Sequence, residues 1–588
     1  MTVMKNIKYF GISLLMTFAF VSCDDYLDIN TNPDSPTNFS VSVEHRLPAL
    51  EYVLLHCYGG SGHLSSLIGQ QIMTSFDTYG NRNNRFNILA RWTPNGNGAE
   101  SYRPYTPIYQ EFYTNAGTNL QDLYDKAEKE NAYHYMATVK FFRAIGFMLM
   151  TDLYGETIHT QAFNGTINGQ FDDGKTIFEG ALRELDEAIA LFKQTQPAGA
   201  TPLAKGDWWN DGDAGKWLKM CYGFKARWLN NLSKKSSLYK PDDILAAIEN
   251  APKSNLESTI VKHEDAGTGI EFPNIGDPNM TSIAYSWLTY WGDSKSFFVT
   301  KWYADLLTDF DGKGIVDPRA WKLIPAVQNT LTSAWELSDG VDTRTNVRND
   351  GSYDKSTINA GNGWTLTSTD GNHYVALTSP GIVTTTTKEK DADGTHYINS
   401  GTFYTRPDAP TTLMTYSEMC FIKAEILFNK GDKPGAFTAY KDGIQAHFDL
   451  LNTKLAEYGT TDNISKQIIP QTDIDTYLNS AAVGTSGDLT LGKIMQQKYI
   501  ALGFSHQNWN DQRRYDYKSD VYRGWTPPYE HTNAVSKDPA FPNSGDMFRR
   551  FQQCYIEINN NNISVEKSHP HALLQDIFSF PVWWDIAE

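Results

Sequence analysis

The chain has 588 residues and a net charge of −17 at pH 7, and 40% of its residues are hydrophobic and 13% aromatic. Such a composition buries a large core and excludes a disordered polymer, and the lack of a Lys/Arg run outside the N-terminus argues against nucleic acid, which needs a concentrated basic face. The 15 Trp, 32 Tyr and 30 Phe exceed what most cores use, which points to rings displayed for a ligand and to binding before chemistry.

Lys5 and Lys8 precede an apolar stretch, Tyr9 to Val21. It is too short to cross a bilayer and has the form of a secretory signal. Phe20-Val21-Ser22-Cys23 is similar to a bacterial lipobox, with a small residue just before a cysteine that becomes the acylated N-terminus. Residues 1–22 are therefore expected to be a lipoprotein signal peptide and Cys23 the lipidation site, carrying palmitate-like chains. Each buried CH2 of such chains contributes ~0.8 kcal/mol, so several chains hold a protein on a membrane almost permanently. Removing 1–22 takes away two lysines and no acid, which moves the charge from −17 to −19. Asp24 and Asp25 then resemble the acidic signal that sends lipoproteins to the outer face of the outer membrane. Cys57, Cys221, Cys420 and Cys554 remain, and no disulfide scaffold is expected in a chain this long.

Further along, Met136, Ala137, Phe141, Ile145, Met148 and Leu149 recur at three- and four-residue steps, which predicts a helix from Tyr133 ended by Gly155. A second helix carries Ile177, Phe178, Ala181, Leu185, Ile189 and Phe192 on one face. A third carries Trp217, Cys221, Phe224 and Trp228, with Asp211 and Asp213 as expected caps. Met419 to Asn429, a Lys430-Gly431-Asp432 break, and Ala436 to Leu451 with Ala436, Tyr440 and Ile444 aligned form a pair similar to a tetratricopeptide unit. Residues 340 to 411 are rich in Thr, Gly, Asn and Asp and read as irregular loop with short strands, and residues 505 to 588 as a loop-rich, aromatic tail. The expected fold is mostly α, one domain over 23–588. Its helical scaffold lies mainly in 40–260 and 412–505, its loop-rich ligand side in about 260–411, and its aromatic C-terminal region in 505–588.

Among chemical signatures, HExxH, GxSxG, Walker A and the Rossmann glycine pattern do not occur. Ser352 and Lys355 match S-x-x-K by chance in a Gly/Thr-rich loop. His56, Cys57 and His63 could ligate a metal, but Gly59, Gly60 and Gly62 between them read as a turn. Asp309, Asp311 and Asp317 around Gly312 and Gly314 resemble a calcium loop without its terminal Glu and read better as a solvated acidic turn. No metal and no cofactor is expected. Glycosidase chemistry needs only two suitably spaced carboxylates, which 68 acidic residues always offer. Sugar recognition asks for rings against the C–H face of a pyranose and for Asp, Asn or Arg on its hydroxyls. Asp77, Tyr79, Arg85, Trp92 and Asn95 in one stretch, and Trp287, Tyr290 and Trp291 in another, are the candidate glycan-binding residues. Trp208, Trp209, Trp583 and Trp584 are assigned to packing.

Several stretches together resemble the SusD/RagB family of outer-membrane nutrient-binding lipoproteins: Cys23 to Pro33, Asp152-Leu-Tyr-Gly-Glu156, Asp211 to Trp217, and Asp317-Pro-Arg319. Tyr416 to Glu425, Lys498 to Phe504 with Trp509, Asn510, Arg513 and Arg514, and Val582-Trp-Trp-Asp585 complete the set, while Cys554-Tyr-Ile-Glu557 departs from the family pattern. The resemblance implies a SusD-like fold, tetratricopeptide-like helix pairs on one side and a variable loop-rich region on the other. It implies a non-catalytic lipoprotein of the outer membrane facing the exterior, which binds oligosaccharide or polysaccharide for nutrient uptake and delivers it to a SusC-like TonB-dependent transporter as that barrel's lid. Peptide capture is the alternative within binding, and a surface glycosidase is the rival class. The family motifs lie in scaffold helices, so they transfer no ligand residues.

Overall fold

Apolar stripes at helical spacing bury themselves against one another and build the scaffold. In the computed structural model, which describes residues 41–74, 106–265, 282, 284, 297–329, 332–342, 366–367, 373–377, 389–390, 396–527, 543 and 545–588, the helix Tyr133–Tyr154 buries Phe141, Ile145, Met148 and Leu149 as the periodicity predicts. It stops at Gly155, whose φ of 82° few side chains tolerate. A Cβ there would also fall 2.5 Å from the Arg550 guanidinium. The helix Gly174–Phe192, capped by Asp173 accepting from Thr176 N at 2.7 Å, packs on it. Arg143 and Lys140 reach across to Glu184 and Glu187 at 2.8 and 2.7 Å.

The next helix, Ala214–Asn231, corrects one expectation. Asp213 is its cap, accepting from Gly215 N and Lys216 N, whereas Asp211 sits at φ 55° in the preceding turn. Only the residue directly before the first turn, with extended backbone, can aim its carboxylate at those amides.

The later pair follows the sequence closely. Tyr416–Asn429, capped by Thr415, and Lys433–Glu457, capped by Asp432, flank the Lys430-Gly431-Asp432 break. Ala436, Tyr440 and Ile444 are fully buried, with Phe421 set edge-on to Tyr440 at 6.3 Å. Leu491–Leu502 and His506–Arg514 lie beyond, started by Thr490 and Ser505.

A second correction concerns the glycines at 59, 60 and 62. They form no turn but lie inside the 26-residue helix Val43–Ile68, almost all of it buried. Burial on several sides overrides the weak helix propensity of glycine. At Gly62 a Cβ would fall 2.1 Å from the Phe504 carbonyl oxygen, so glycine here permits a close approach of backbone to helix.

Strands are short. Ile72–Thr74 pairs antiparallel with Phe297–Val299, and Thr411–Met414 with Thr259–Val261. A four-stranded sheet runs in the order Trp335–Leu337, Ala326–Asn329, His396–Asn399, Glu389–Lys390, and Leu366–Thr367 pairs with His373–Tyr374. The strands at 366–367, 373–374, 389–390 and 396–399 fall within 340–411, where short strands are expected. One hydrophobic cluster extends from Val43 to Trp584. Cys57, Cys221, Cys420 and Cys554 are all buried thiols. Among the described residues no helix is long and apolar enough to cross a membrane.

Candidate functional site

Among the described residues, stretches that carry the family resemblance converge on buried polar clusters. Arg514 and Glu425 are bonded at 2.8 and 3.1 Å, and Arg514 also reaches Asp511 at 2.7 Å, which Lys498 meets at 2.8 Å. Burial would raise the Glu425 and Asp511 carboxyls, but Arg514 and Lys498 outweigh it and hold both below the usual carboxylate range. Arg227 grips Glu418 at 2.7 and 2.6 Å. Asp317 is not a solvated turn residue, as the sequence suggested. It is fully buried and chelated by Arg319 at 3.0 and 2.5 Å. Arg319 Nη1 lies 3.0 Å from His447 Nδ1, and His447 Nε2 lies 3.1 Å from the Tyr404 hydroxyl. Burial, then Arg319, push the His447 pKa well down, so the neutral ring accepts at Nδ1 and donates from Nε2.

A third cluster closes the chain. Asp152 accepts from Asn510 Nδ2 and Trp584 Nε1, both at 2.8 Å, while Arg513 donates to the carbonyls of Asp152 and Arg549 at 2.8 and 2.6 Å. Asp585 pairs with Arg549 at 2.9 Å and Lys234 at 2.8 Å, and Arg550 pairs with Glu156. These residues build the scaffold and are too enclosed to touch a ligand. Trp209 and Trp584 are buried, and Trp208 and Trp583 pack on the core, as expected.

One hub went unread in the sequence. Asp207 accepts from Trp209 N, Asn210 N, Gly212 N and Trp217 Nε1 at 2.7–3.2 Å. Glu51, fully buried beside it, has its pKa raised well above the usual range by burial and by Asp207. The signal available was an Asp two residues ahead of Trp209 in a Gly/Asp-rich turn.

The weaker motifs also resolve as structure. His56 lies 3.8 Å from Glu111, at the start of a π-helical turn, Glu111–Ala116. Among the described residues no group of three His, Cys, Asp or Glu is placed to hold a metal. Asp309 accepts from Gly314 N at 2.6 Å, and Asp311 faces Lys493 and Arg523 at 3.4 and 3.6 Å.

Cys23 and the candidate glycan residues Asp77, Tyr79, Arg85, Trp92, Asn95, Trp287, Tyr290 and Trp291 lie outside the described residues, as do Ser352 and Lys355. Thr74 pairs with Phe297 and Ile72 with Val299, so Thr74 and Phe297 are cross-strand neighbours at one end of a two-stranded ribbon. Gln70, at φ 69°, turns the chain from the Val43–Ile68 helix into that ribbon and is pinned by Thr300 Oγ1 on its carbonyl and by its own Nε2 on Thr526 O at 2.8 Å. A left-handed non-glycine residue costs on the order of 1 kcal/mol, borne here by those contacts. The ribbon's other face packs Met73 and Phe298 against Val341, Tyr374 and Ala376 of the loop-rich side.

On the helix-pair side, a groove of about 410 Å³ opens between Pro241–Ile248 and the Tyr416–Asn429 and Lys433–Glu457 helices. Ile248, Met419 and Leu427 line it together with Lys423 and Asp442. Burial raises the Asp442 carboxyl despite Lys423 and Lys441 nearby.

A family model described as "Starch-binding associating with outer membrane", SusD-like, matches residues 61–324 and 365–528. The chain matches no functionally curated protein at a significant level. Among solved structures, a SusD/RagB family protein from Bacteroides thetaiotaomicron is similar over 93% of this chain and 100% of its own, at 18% identity and a TM-score of 0.62. A chitin-binding protein covers 92% and 100%, at 18% identity and a TM-score of 0.60. An outer-membrane protein from Bacteroides vulgatus, described as probably involved in nutrient binding, covers 93% and 100%, at 16% identity and a TM-score of 0.61. With a mostly helical scaffold, short strands and a family match over most of its length, the chain belongs to the SusD-like family, described as starch-binding and associating with the outer membrane.

Proposed function

We propose that this protein captures an oligosaccharide or polysaccharide without cleaving it and passes it to a SusC-like TonB-dependent transporter, anchored on the exterior of the outer membrane through acylated Cys23. The observation that supports the reading is the pairing of Thr74 with Phe297, the described residues nearest in sequence before Asp77 and after Trp291. Stacking on a sugar needs rings from separate stretches to face one volume, with Asp, Asn and Arg beside them. Asp77, Tyr79, Arg85, Trp92 and Asn95 would come from one stretch, and Trp287, Tyr290 and Trp291 from the other. Family membership supports binding over catalysis, since the family is described by what it binds. The helix-pair groove would face the transporter and the loop-rich side the glycan.

Affinity electrophoresis of the mature protein through gels cast with a polysaccharide panel tests this. Retarded migration without new reducing ends is expected, and Trp291→Ala should weaken retardation. Release of reducing ends would replace a binder with a glycosidase, and retardation by no glycan together with binding of peptides would replace the ligand class.

A further inference from the structure

Four cations gather where the loop-rich side meets the end of the Lys433–Glu457 helix: Lys322, Arg406, Lys454 and Lys466. Lys454 is answered by Asp408 at 3.2 Å and Glu457 at 2.8 Å. Among the described residues the other three have no carboxylate within ion-pair distance, in a protein whose net charge is −17. Arg406 is only 5% exposed, and its Nη2 donates to Ser465 Oγ while its Nη1 is buried with no hydrogen-bond partner. Lys322, 4% exposed, is held by the Ile464 carbonyl at 2.5 Å. Lys466 is half-buried, its backbone N–H donates to the Asn463 carbonyl at 2.9 Å, and among the described residues its ammonium has no carboxylate within ion-pair distance.

Tyr458 sits among these groups. Its ring centroid is 5.5 Å from Arg406 Cζ and 4.9 Å from Lys466 Nζ, and its hydroxyl donates to Asp408 at 3.0 Å. Asp408 and Asp265 draw on Lys466 only from a distance. Ring faces and carbonyls carry partial charges, which answer a buried cation incompletely. The strain shows in the titrations: burial and then Arg406 push the Lys322 ammonium down to about 8, and Arg406 and Lys466 are lowered as well. Asp408 draws on Arg406 as well as on Lys454, and Tyr458 answers Arg406 in part, so one carboxylate is shared by Arg406, Lys454 and Lys466 and the excess positive charge calls for a counter-charge from outside the chain.

We propose that Lys466, backed by Arg406 and Lys322 and walled by Tyr458, is a subsite for an oxyanion, the carboxylate or sulfate of an acidic glycan. This rests on the glycan-capture reading and narrows it from sugars at large to anionic ones. Tyr458 is half-buried and lies beside the cations, so a ring-and-cation pair is available to a charged sugar.

The test titrates the mature protein calorimetrically with polygalacturonate, a sulfated glycan and a neutral glucan, and in parallel reads amine labelling of Lys466 by mass spectrometry with sulfate or chloride at equal ionic strength. The expected result is preference for an acidic glycan, slower Lys466 labelling in sulfate, and a roughly tenfold weaker acidic-glycan affinity in Lys466→Gln with any neutral-glucan affinity unchanged. Arg406→Gln disturbs buried packing, so Lys466→Gln, at a half-buried position, is the reporting variant. Neutral glucan bound as tightly as the acidic ones, with no sulfate protection, overturns the subsite and leaves glycan capture standing. Sulfate protection with no glycan bound at all sinks glycan capture while keeping an oxyanion site. No glycan bound and no sulfate protection overturns both.

Discussion

Arg514→Met tests whether the buried charges hold the scaffold together. Methionine keeps much of the aliphatic bulk, so the change is mainly electrostatic. The variant loses two bonds to Glu425, at 2.8 and 3.1 Å, and two to Asp511, at 2.7 and 3.1 Å. Asp511 keeps Lys498 at 2.8 Å, whereas Glu425 keeps hydrogen bonds only from the neutral donors Asn230 at 3.0 Å and Tyr515 at 2.6 Å, with Lys498 attracting it from beyond hydrogen-bond distance. One buried carboxylate therefore stays uncompensated, a situation that costs about 3–5 kcal/mol. Summing every lost charged hydrogen bond would overshoot, because those bonds share one desolvation. The matched Arg514→Met/Glu425→Gln double variant removes the orphan charge and should recover at least half of the loss.

The pH dependence gives a second readout. In the parent, Glu425 and Asp511 have folded pKa values below their unfolded ones, so their contribution is present above the ordinary carboxylate range and is lost as pH falls through the folded values. In Arg514→Met, burial is opposed by a single cation, Lys498, so the Glu425 carboxyl rises and the gap to the parent should narrow from pH 8 to pH 5. Urea unfolding followed by tryptophan fluorescence measures both, as the midpoint shift multiplied by the slope. A loss under ~1 kcal/mol, or a gap that widens in acid, would refute the electrostatic account.

Four further outcomes are expected. Glu51 has a raised folded pKa, so its contribution is present below the ordinary carboxylate range and fades as pH rises through the folded value; Glu51→Gln should be neutral or stabilising at pH 8, read by thermal melting against pH, while Asp207→Ala should lose ~2 kcal/mol or more with its four donors orphaned. Gly62→Val should push Phe504 off the first helix and cost on the order of 3 kcal/mol, seen as a lower urea midpoint; unchanged stability would mean the 2.1 Å approach relaxes freely. Metabolic palmitate labelling should mark the parent and leave Cys23→Ser unmarked and released from the membrane fraction, and an equally retained Cys23→Ser form would remove the anchor.

The scaffold was legible wherever a single period governed burial. Phe141, Ile145 and Met148, then Ala436, Tyr440 and Ile444, announced their helices because they recur at three- and four-residue steps and are all buried. Val43–Ile68 was harder, since a helix buried on nearly every side has no stripe and its glycines read as a turn. The ion clusters were visible only as scattered motif residues. Asp152 and Asn510, or Arg227 and Glu418, meet across 358 and 191 residues, and pairing at that range leaves no local signal. For the candidate site, ring and amide composition marked Asp77 to Asn95 and Trp287 to Trp291, and what the structure adds is the pairing of Thr74 with Phe297. Arg406 and Lys466 carried no sequence mark at all, because a cation reads as surface until its missing counter-charge is seen.

The clamp of Trp584 and Asp585 onto Asp152, Arg549 and Lys234 bears on biogenesis. A polypeptide emerging from its N-terminus displays Asp152 and Lys234 hundreds of residues before their partners are synthesised, and at ~5–20 residues per second the interval is tens of seconds. During that delay the half-made molecule carries unmatched charges beside bare apolar helices, the kind of surface that chaperones and proteases recognise. Completion is thus gated by arrival of the tail, and a frameshift near codon 580 should be as ruinous to accumulation as one far upstream.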